Sequence, residues 1–368
     1  MILLKCKKES LLAPLQSVSG IVERRHTLPI LSNVLLERKG DELTYLATDI
    51  EIQITTTAKV DGGSDNLAVT VSAKKLQDIL RSLPDAADVS LELKEKRLQL
   101  DAGKSRFILQ TLPAEDFPRL ANNTPVLSEI TLPQKDLRLL LSNTLFAMAV
   151  QDVRYYLNGL LLIIEGQKLI AVATDGHRLA YYSSKMLASV DKVETILPRK
   201  TVLELNRLLA DTDEPVNIKF YESKVAFEFA NLHIVSKIID GKFPDYDRVI
   251  PKTFSNDILI DRQMLLNSLN RVAILTNEKF RGVRVMFNSN KLNVTALNSE
   301  QETAEEEIDI EYAGQALDIG FNINYLLEVL NNIHDEKIKW SFNDSNSSSL
   351  VSTVGDDDFK YVVMPMRI

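Results

Sequence analysis

The sequence contains a single cysteine, Cys6, which excludes several kinds of site from the start. One thiol cannot form an intramolecular disulfide, and no metal site can be built from several cysteines. Histidine is also scarce, and no histidine is spaced from another as zinc ligands usually are. The four histidines are His26, His177, His233 and His334. We therefore expect neither a metal nor a cofactor.

The sequence also lacks the motifs of common enzyme families and the apolar runs of membrane proteins. It contains no phosphate-binding GxxxxGKS or GxxxxGKT, and no GxGxxG, HExxH or GxSxG. Apolar runs such as LLLII at 160–164 are far shorter than the roughly 18 residues that cross a bilayer, and the first residues do not resemble a signal peptide. We expect a cytoplasmic protein that has no membrane contact and is not an enzyme.

Composition and length are those of a globular protein with more than one domain. The chain has 368 residues, of which 45% are hydrophobic and 26% are charged. Single domains are commonly about 100 to 200 residues long, so two or three domains are expected. The formal net charge of −8 argues against binding nucleic acid through overall positive charge, because clustered Lys and Arg drive phosphate binding. The net charge does not exclude a local basic surface.

An internal repeat organises the chain. The segment LTYLATDIEIQITT at 43–56 resembles LIAVATDGHRLAYY at 169–182, and the matching residues Asp49 and Asp175 are 126 positions apart. A weaker third copy, at 292–308, places Asn298 a further 123 positions along. Repeats of this length predict three tandem domains, at 1–125, 126–250 and 251–368.

Each repeat contains two segments with apolar residues at helical spacing. We predict six amphipathic helices, at 9–22, 72–85, 134–148, 198–211, 261–275 and 322–335. Ser10 and Asp261 are predicted N-caps, and Pro14 is expected in the first turn of its helix. Between the helices, 90–102, 216–230 and 291–298 alternate apolar and polar residues, as antiparallel strands do. The predicted fold class is α+β: three tandem domains, each with two helices packed on antiparallel sheets.

Charge is unevenly distributed. Segment 94–106 has five basic residues against two acidic ones, whereas 292–336 contains no Lys or Arg. A basic edge and an acidic edge are what a head-to-tail contact between copies requires, although a generic charged surface explains them equally well. The helices carry basic residues that are either solvated or face a polyanion. They are Lys74, Lys75, Arg81, Lys135, Arg138, Arg199, Lys200, Arg207, Arg262 and Arg271.

The stretch Asp175-Gly176-His177-Arg178 could form part of a catalytic site or a binding surface. A hydrolase using Asp175 and His177 would need a nucleophile and an orienting group that the sequence does not identify. Asp49 occupies the same place in the first repeat with no histidine after it. Asp-Gly is therefore predicted to form a hairpin turn, and the Gly-His-Arg-Leu segment peculiar to the second repeat is a candidate binding surface.

Several motifs together resemble those of the β sliding clamp family of bacterial DNA polymerase III. They are TLPILSNVLL, QDVRYYLNG, ATDGHRLA, FPDYDRVIP, NEKFRGVR and the terminal YVVMPMR, in order along the chain. The resemblance implies a head-to-tail homodimer that forms a six-domain ring, with twelve helices lining a hole for duplex DNA. It further implies tethering of the polymerase III catalytic subunit, the clamp loader, translesion polymerases and repair factors.

The resemblance also implies specific sites. The family's pocket for short, largely apolar peptide motifs corresponds here to Leu157, Thr174, Gly176, His177, Arg178, Leu179, Pro244, Arg248, Val249, Phe280, Asn322, Tyr325, Val362, Met364, Pro365, Met366 and Arg367. The positions matching DNA contacts are Arg25, Lys74, Gln151, Tyr155, Tyr156, Arg199 and Lys200. The ring junction should pair Phe107 and Leu109 with Ile274 and Leu275.

One segment departs from the family pattern. The polar run SNSSS at 345–349, which contains Asn346 and Ser348, lies where the family's pocket rim is less polar. A peptide-binding scaffold that never encircles DNA is the alternative to the clamp, and the Asp175–His177 hydrolase is a second.

Overall fold

The computed structural model describes residues 2–23, 28–60, 66–120, 124–355 and 357–368. The α-helices in these ranges are α1 (Lys8–Ser19), α2 (Ala73–Ser82), α3 (Gln134–Ser142), α4 (Arg199–Leu208), α5 (Tyr246–Val249), α6 (Arg262–Ala273) and α7 (Ile323–Asn332). Short 3-10 helices lie at Pro29–Ser32, Ala114–Asp116, Leu145–Ala147 and Tyr155–Leu157. None of the described helices is long and apolar enough to span a membrane.

The strands of the first repeat are β1 (Ile2–Lys7), β2 (Asn33–Lys39), β3 (Glu42–Thr48), β4 (Ile52–Lys59), β5 (Leu67–Ser72), β6 (Asp88–Lys94), β7 (Arg97–Ala102) and β8 (Ser105–Leu112). Those of the second are β9 (Ser128–Pro133), β10 (Gly159–Thr174), β11 (Arg178–Pro198), β12 (Pro215–Phe220), β13 (Lys224–Phe229) and β14 (Leu232–Lys237). Those of the third are β15 (Asn256–Asp261), β16 (Gly282–Asn288), β17 (Lys291–Leu297), β18 (Thr303–Asp309), β19 (Leu317–Asn322), β20 (Lys337–Phe342), β21 (Ser349–Thr353) and β22 (Phe359–Val363).

The six predicted helices are confirmed, each shorter at its carboxyl end than the predicted segment, and α5 is additional. Helix α3 ends at Ser142, the Thr144 hydroxyl donates to the carbonyl of Leu140 at 2.8 Å, and a 3-10 turn follows. Asp261 is confirmed as the N-cap of α6, since its carboxylate accepts a hydrogen bond from the Met264 N–H at 2.7 Å. The predicted strand segments are also confirmed.

The prediction for the start of α1 was wrong. The helix begins at Lys8, so Ser10 lies inside it and Pro14 falls in the second turn. The N-cap residue Lys7 has no side-chain acceptor, and the Lys8 N–H donates to the carbonyl of Ala87 at 2.9 Å. A tertiary acceptor has replaced the local cap, and sequence spacing could not reveal it.

The same tertiary bond recurs in every repeat. The Gln134 N–H at the start of α3 donates to the carbonyl of Glu214 at 2.9 Å, and the Arg262 N–H at the start of α6 donates to the carbonyl of Glu336 at 2.9 Å. In each repeat the first helix is thus joined to the chain that follows the second helix. This confirms at the level of single atoms that the three repeats share one architecture.

The strands form three antiparallel sheets in two compact units. The unit of residues 1–135 and 203–238 contains a 12-stranded sheet in the order β1-β6-β7-β8-β5-β2-β3-β4-β14-β13-β12-β9. The unit of residues 136–202 and 239–368 contains a six-stranded sheet, β10-β11-β22-β21-β20-β15, and a four-stranded sheet, β18-β17-β16-β19. Helices α1 and α2 pack on each other and on strands of the first unit, and α6 and α7 do the same in the second.

The compact units do not follow the sequence repeats, because strands of neighbouring repeats pair. Ile54 on β4 lies opposite Ile234 on β14, and Leu179 on β11 lies opposite Val362 on β22. The sheets therefore run continuously across the repeat boundaries. The division of the chain at 1–125, 126–250 and 251–368 stays a prediction about the repeats.

Candidate functional site

The hairpin turn between β10 and β11 is held by its own polar side chains. The Thr174 hydroxyl donates to the carbonyl of Arg178 at 2.6 Å. The Asp175 carboxylate accepts the N–H groups of His177 and Arg178 at 2.9 and 3.1 Å. Gly176 has φ +90°, a conformation that costs glycine little and other residues more. The predicted turn is confirmed.

The first repeat builds the same turn without the histidine. The Thr48 hydroxyl donates to Ile52 at 2.9 Å, and the Asp49 carboxylate accepts the N–H groups of Glu51 and Ile52 at 3.0 and 2.8 Å. Ile50 takes the place of Gly176, with φ +72°. The shared Ala-Thr-Asp therefore has a structural role, because the same hydrogen bonds form whether or not a histidine follows.

The side chains of the second turn are engaged in ways that a catalytic dyad would not predict. One Asp175 oxygen accepts the two turn N–H groups, and the other pairs with the Arg178 guanidinium at 3.1 Å. Among the described residues, no group of three His, Cys, Asp or Glu side chains could hold a metal ion. The Asp175 carboxylate is thus committed to the turn and to Arg178.

Arg178 itself is buried, and each nitrogen of its guanidinium donates a hydrogen bond within the protein. Its guanidinium forms an ion pair with Glu328, donates to the carbonyl of Phe146 at 2.6 Å and lies 4.5 Å from the centre of the Tyr325 ring. Burial acts to lower the pKa of Arg178, but the influence of Tyr361, Glu328 and Asp175 outweighs it, so the pKa is raised. Arg178, predicted to line the pocket, therefore positions the turn against α7.

The carboxyl-terminal segment is attached to this turn. The Met364 N–H donates to the carbonyl of His177 at 3.0 Å, and the Met366 N–H donates to Gly320 at 2.7 Å. Pro365 lies between them and has no N–H, so the strand pairing of β22 ends before it. Gly320 permits the contact, since a Cβ there would lie 2.2 Å from the Met366 carbonyl oxygen. Met364 is 46% exposed beside the exposed His177.

Two buried side chains connect the turn to the sheet. Leu179 and Val362 lie opposite each other in the pairing of β11 and β22, and both belong to a core cluster with Phe243. The predicted residue Pro244 follows Phe243. Helix α5 carries the exposed Arg248 and Val249, and its first residue, Tyr246, and the residue after it, Ile250, pack on the same cluster.

The remaining predicted pocket residues lie in the same compact unit. Asn322 caps α7, because its side chain accepts a hydrogen bond from the Asn324 N–H at 3.0 Å. Asn322 also lies opposite Gly282 in the pairing of β16 and β19. Phe280, two positions before Gly282, is 57% exposed. Thr174 and Leu157 are buried, whereas Arg367 is exposed. Within the polar segment 345–349, the Asn346 N–H donates to the Asp344 carboxylate at 2.8 Å, and Ser348 is half-buried.

Arg154 is a neighbour of the turn that the sequence-based prediction missed. Its guanidinium donates to the Asp175 carbonyl at 3.1 Å and pairs with Asp152 at 2.9 Å. A Cβ on Gly176 would lie 2.9 Å from the Arg154 guanidinium, so this position has little room for a side chain. Hydrogen bonds from the Arg154 side chain and backbone lower the pKa of Asp152 to about 2. The segment QDVRYYLNG contains Asp152 and Arg154 two positions apart, and this spacing is the sequence signal that could have identified the ion pair.

The residues predicted to contact DNA differ in accessibility. Lys74 and Gln151 are exposed, Tyr155 is 59% exposed, and its ring lies 5.8 Å from that of the half-buried Tyr156. Lys200, in the first turn of α4, is half-buried. Arg25 lies outside the described residues.

Several basic residues of the helices have protein partners. Arg199 is half-buried and donates to Met148 at 3.3 Å, and burial with the nearby Arg178 charge lowers its pKa. Arg207 pairs with Glu204, and Arg271 with Glu306. Lys74, Lys75 and Arg81 are exposed on α2 and line one cavity. The basic surface is therefore best developed on α2.

Two of the predicted ring-junction residues, Phe107 and Leu109, lie on strand β8, and the other two, Ile274 and Leu275, follow helix α6. In the described part of the chain, β8 pairs with β7 along its length but with β5 only at Thr111 and Leu112, and β18 pairs only with β17. Phe107 is half-buried, Leu109 is buried and their neighbour Ile108 is 56% exposed. Ile274 is 78% exposed, and Leu275 is half-buried.

Comparison with known proteins accounts for nearly the whole chain. Models of the N-terminal, central and C-terminal domains of the DNA polymerase III β subunit match residues 2–121, 131–245 and 247–367. The β sliding clamp of Pseudomonas putida is 46% identical over 363 residues, which cover 98% of this chain and 99% of that protein. The clamp of Escherichia coli K12 is 42% identical over 362 residues, with the same coverage.

Solved structures agree with the sequence relatives. A Pseudomonas aeruginosa DNA polymerase sliding clamp with a ligand has a TM-score of 0.94, 44% identity and full coverage of both chains. A Bartonella birtlesii sliding clamp bound to griselimycin has a TM-score of 0.95 and 33% identity over 99% of each chain. Because the three domain models match in order along the chain, it belongs to the DNA polymerase III β subunit family, the bacterial sliding clamps.

Proposed function

We propose that two copies of this chain form a closed ring that encircles duplex DNA and tethers DNA polymerase III and other DNA-processing proteins. The observation that carries the proposal is the ordered, full-length match to sliding clamps. A clamp of this kind is a non-catalytic processivity factor acting in the cytoplasm, where the chromosome is replicated.

Two strands with a partly unpaired side support the head-to-tail ring. Strand β8 begins at the end of the basic segment 94–106 and, in the described part of the chain, pairs with β5 only at Thr111 and Leu112, whereas β18 has the acidic sequence TAEEEID. A strand at a sheet edge presents unpaired N–H and C=O groups that another chain can pair with. We therefore place β8 of one subunit against β18 of the next, with Phe107 and Leu109 near Ile274 and Leu275. A head-to-tail contact that repeats and closes yields a ring.

The ring is proposed to hold DNA by topology more than by affinity. Lys74, Lys75 and Arg81 supply a modest positive charge, and contacts to phosphates carry no sequence information. The net charge of −8 keeps overall attraction to DNA weak, which suits a protein that slides.

Partner proteins are proposed to bind around the second turn through short, largely apolar motifs. His177 and Met364 are exposed and Met366 is half-buried, and methionine side chains are flexible enough to adapt to different partner side chains. The catalytic subunit, the clamp loader, translesion polymerases and repair factors would compete for this surface. A Pseudomonas aeruginosa clamp 45% identical to this chain has been solved bound to griselimycin, so a ligand site exists in the family.

The proposal is tested by loading the protein on a nicked circular DNA with a clamp loader and then cutting the circle. A sliding ring is expected to remain on the circle and to leave the linear DNA within minutes. As a matched control, the double variant Ile274→Ala, Leu275→Ala should sediment as a monomer and should not be retained on the circle. Retention after cutting would instead favour a peptide-binding scaffold that never encircles DNA.

A further inference from the structure

A cavity of about 790 Å³ lies beside the proposed peptide site in the same compact unit. One wall comes from the segment 246–254 and the other from strands β11, β20, β21 and β22. The residues that matter for its chemistry are Tyr246, Ile250, Phe254, Tyr181, Leu350 and Lys360. None of them belongs to the predicted pocket.

The cavity continues the proposed pocket along one face of the six-stranded sheet. Leu179 lies opposite Val362, and two positions further along, Tyr181 lies opposite Lys360. Residues two apart on a strand point to the same face and are separated by about 7 Å, the length of two residues of extended peptide. Tyr181 also packs against the core cluster that contains Leu179 and Val362. The exposed His177 and Met364 lie two positions beyond Leu179 and Val362 on the same face. A motif of several residues bound there therefore needs only a short extension to reach Lys360.

The walls of the cavity are aromatic and apolar. The rings of Tyr181 and Tyr246 lie 6.0 Å apart with their planes inclined by 33°, and Ile250, Phe254 and Leu350 complete the apolar surface. Burial raises the pKa of both tyrosines, so their hydroxyls stay protonated and able to donate near neutral pH. Such a surface favours an aromatic side chain, since aromatic pairs contribute beyond the area they bury.

Lysines outnumber acids along the cavity. Lys252 is paired with Asp247 at 2.6 Å, and Lys339 with Asp257 at 2.7 Å. Lys360 differs, because its ammonium lies 5.4 Å from the centre of the Tyr181 ring. The carboxylates among the lining residues are Asp247 and Asp357, against the three lysines. A carboxylate next to a bound aromatic ring would lie close to Lys360.

We propose that this cavity binds the residues flanking the apolar motif of a partner peptide and favours an aromatic residue next to an acidic one. This inference rests on the proposed function, because the motif itself must occupy the surface around His177 and Met364. The cavity then distinguishes partners that share a motif but differ beside it.

The test uses the full-length protein and a labelled synthetic peptide of the clamp-binding segment of the DNA polymerase III catalytic subunit. The peptide is extended by two residues, at either end in turn, with Phe-Asp, Ala-Asp, Phe-Asn or Ala-Asn. Fluorescence polarisation gives each Kd. At one end, Phe-Asp should bind about fivefold tighter than Ala-Asn, and Asp should bind about two- to threefold tighter than Asn, as expected for a partly exposed ion pair.

Two variants make the test specific. Lys360→Gln should remove the preference for Asp over Asn and keep the preference for Phe over Ala. Lys168→Gln changes an exposed lysine of β10 in the same sheet that does not line the cavity, and it should preserve both preferences. Equal affinity for all four extensions at both ends would overturn the inference while the proposed function stands. Failure of the unextended peptide to bind would overturn the proposed function as well.

Discussion

The first and second turns of the repeat are built alike and are used differently. In both turns, a threonine and an aspartate hold the chain. In both, the carbonyl of the third turn residue also accepts a backbone hydrogen bond from a later residue of the next repeat. Glu51 accepts from the Lys237 N–H at 2.9 Å, and His177 accepts from the Met364 N–H at 3.0 Å. We call this hydrogen bond between a turn and the next repeat a joint. The first joint links repeats one and two, and the second joint links repeats two and three.

The difference lies in the side chains around the joint. At the first joint Glu51 forms an ion pair with Lys237, and Ile52 is buried as an ordinary core residue. At the second joint the buried position is Arg178, held by Asp175 and Glu328. One copy of a duplicated joint thus remains structural, and the other carries exposed groups that a partner could bind.

Removing the carboxyl-terminal segment that forms the second joint should have the largest effect. Deletion of the last five residues, 364–368, is expected to abolish partner-peptide binding, because it removes Met364 and Met366, and to leave the dimer intact. Peptide titration and sedimentation measure the two properties. Lys237→Ala, which removes a charge from the first joint only, should leave peptide affinity unchanged. Peptide affinity that survives the deletion would refute the site assignment.

Replacing the two turn aspartates should separate the joints energetically. Asp175→Ala should lower the free energy of unfolding by about 3 kcal/mol, because it removes the turn hydrogen bonds and one partner of the buried Arg178. Asp49→Ala should cost about 1 to 2 kcal/mol, since it removes the hydrogen bonds that the Asp49 carboxylate accepts in the first turn. Urea unfolding followed by circular dichroism compares the two. Equal losses would mean that the pairing with Arg178 contributes little.

The central residues of the turns should respond with opposite signs. Gly176→Ala should destabilise the protein by about 1 to 2 kcal/mol, because φ is positive and the Arg154 guanidinium occupies the nearby space. Ile50→Gly should raise stability by about 0.5 kcal/mol, because a β-branched residue is strained at φ +72°. Thermal unfolding of both variants provides the measurement, and a destabilising Ile50→Gly would show that its side-chain contacts outweigh the strain.

The smallest expected effect is a titration beside the second turn. Arg154 stabilises the ionised form of Asp152 and lowers its pKa from 3.8 to about 2. The resulting contribution to stability is complete above pH 3.8 and is lost as the pH falls through about 2. The carboxyl carbon-13 shift of Asp152 should titrate near 2, and in Arg154→Met it should titrate nearer 3.8. An unchanged midpoint in the variant would exclude Arg154 as the cause.

Local patterns predicted much of the fold and failed where a distant atom intervened. The helices were predictable because apolar spacing records which face is buried, and Asp261 was predictable because a cap acts within three residues. Ser10 was a wrong cap because Ala87, far along the chain, satisfies Lys8. Arg178 was assigned to the pocket by resemblance, but its burial depends on Glu328 and Phe146, which no local pattern connects to it.

The sequence by itself determined the threefold repeat, the α+β class, the turn at Asp175 and the family, because each is recorded in short-range spacing or in ordered motifs. Only the tertiary structure decided that β11 pairs with β22, that the carboxyl terminus hydrogen-bonds His177, and that a cavity extends along the sheet to Lys360. Pairing between distant strands depends on how whole repeats pack. The chemistry beside the turn is therefore fixed by residues from both the second and the third repeat.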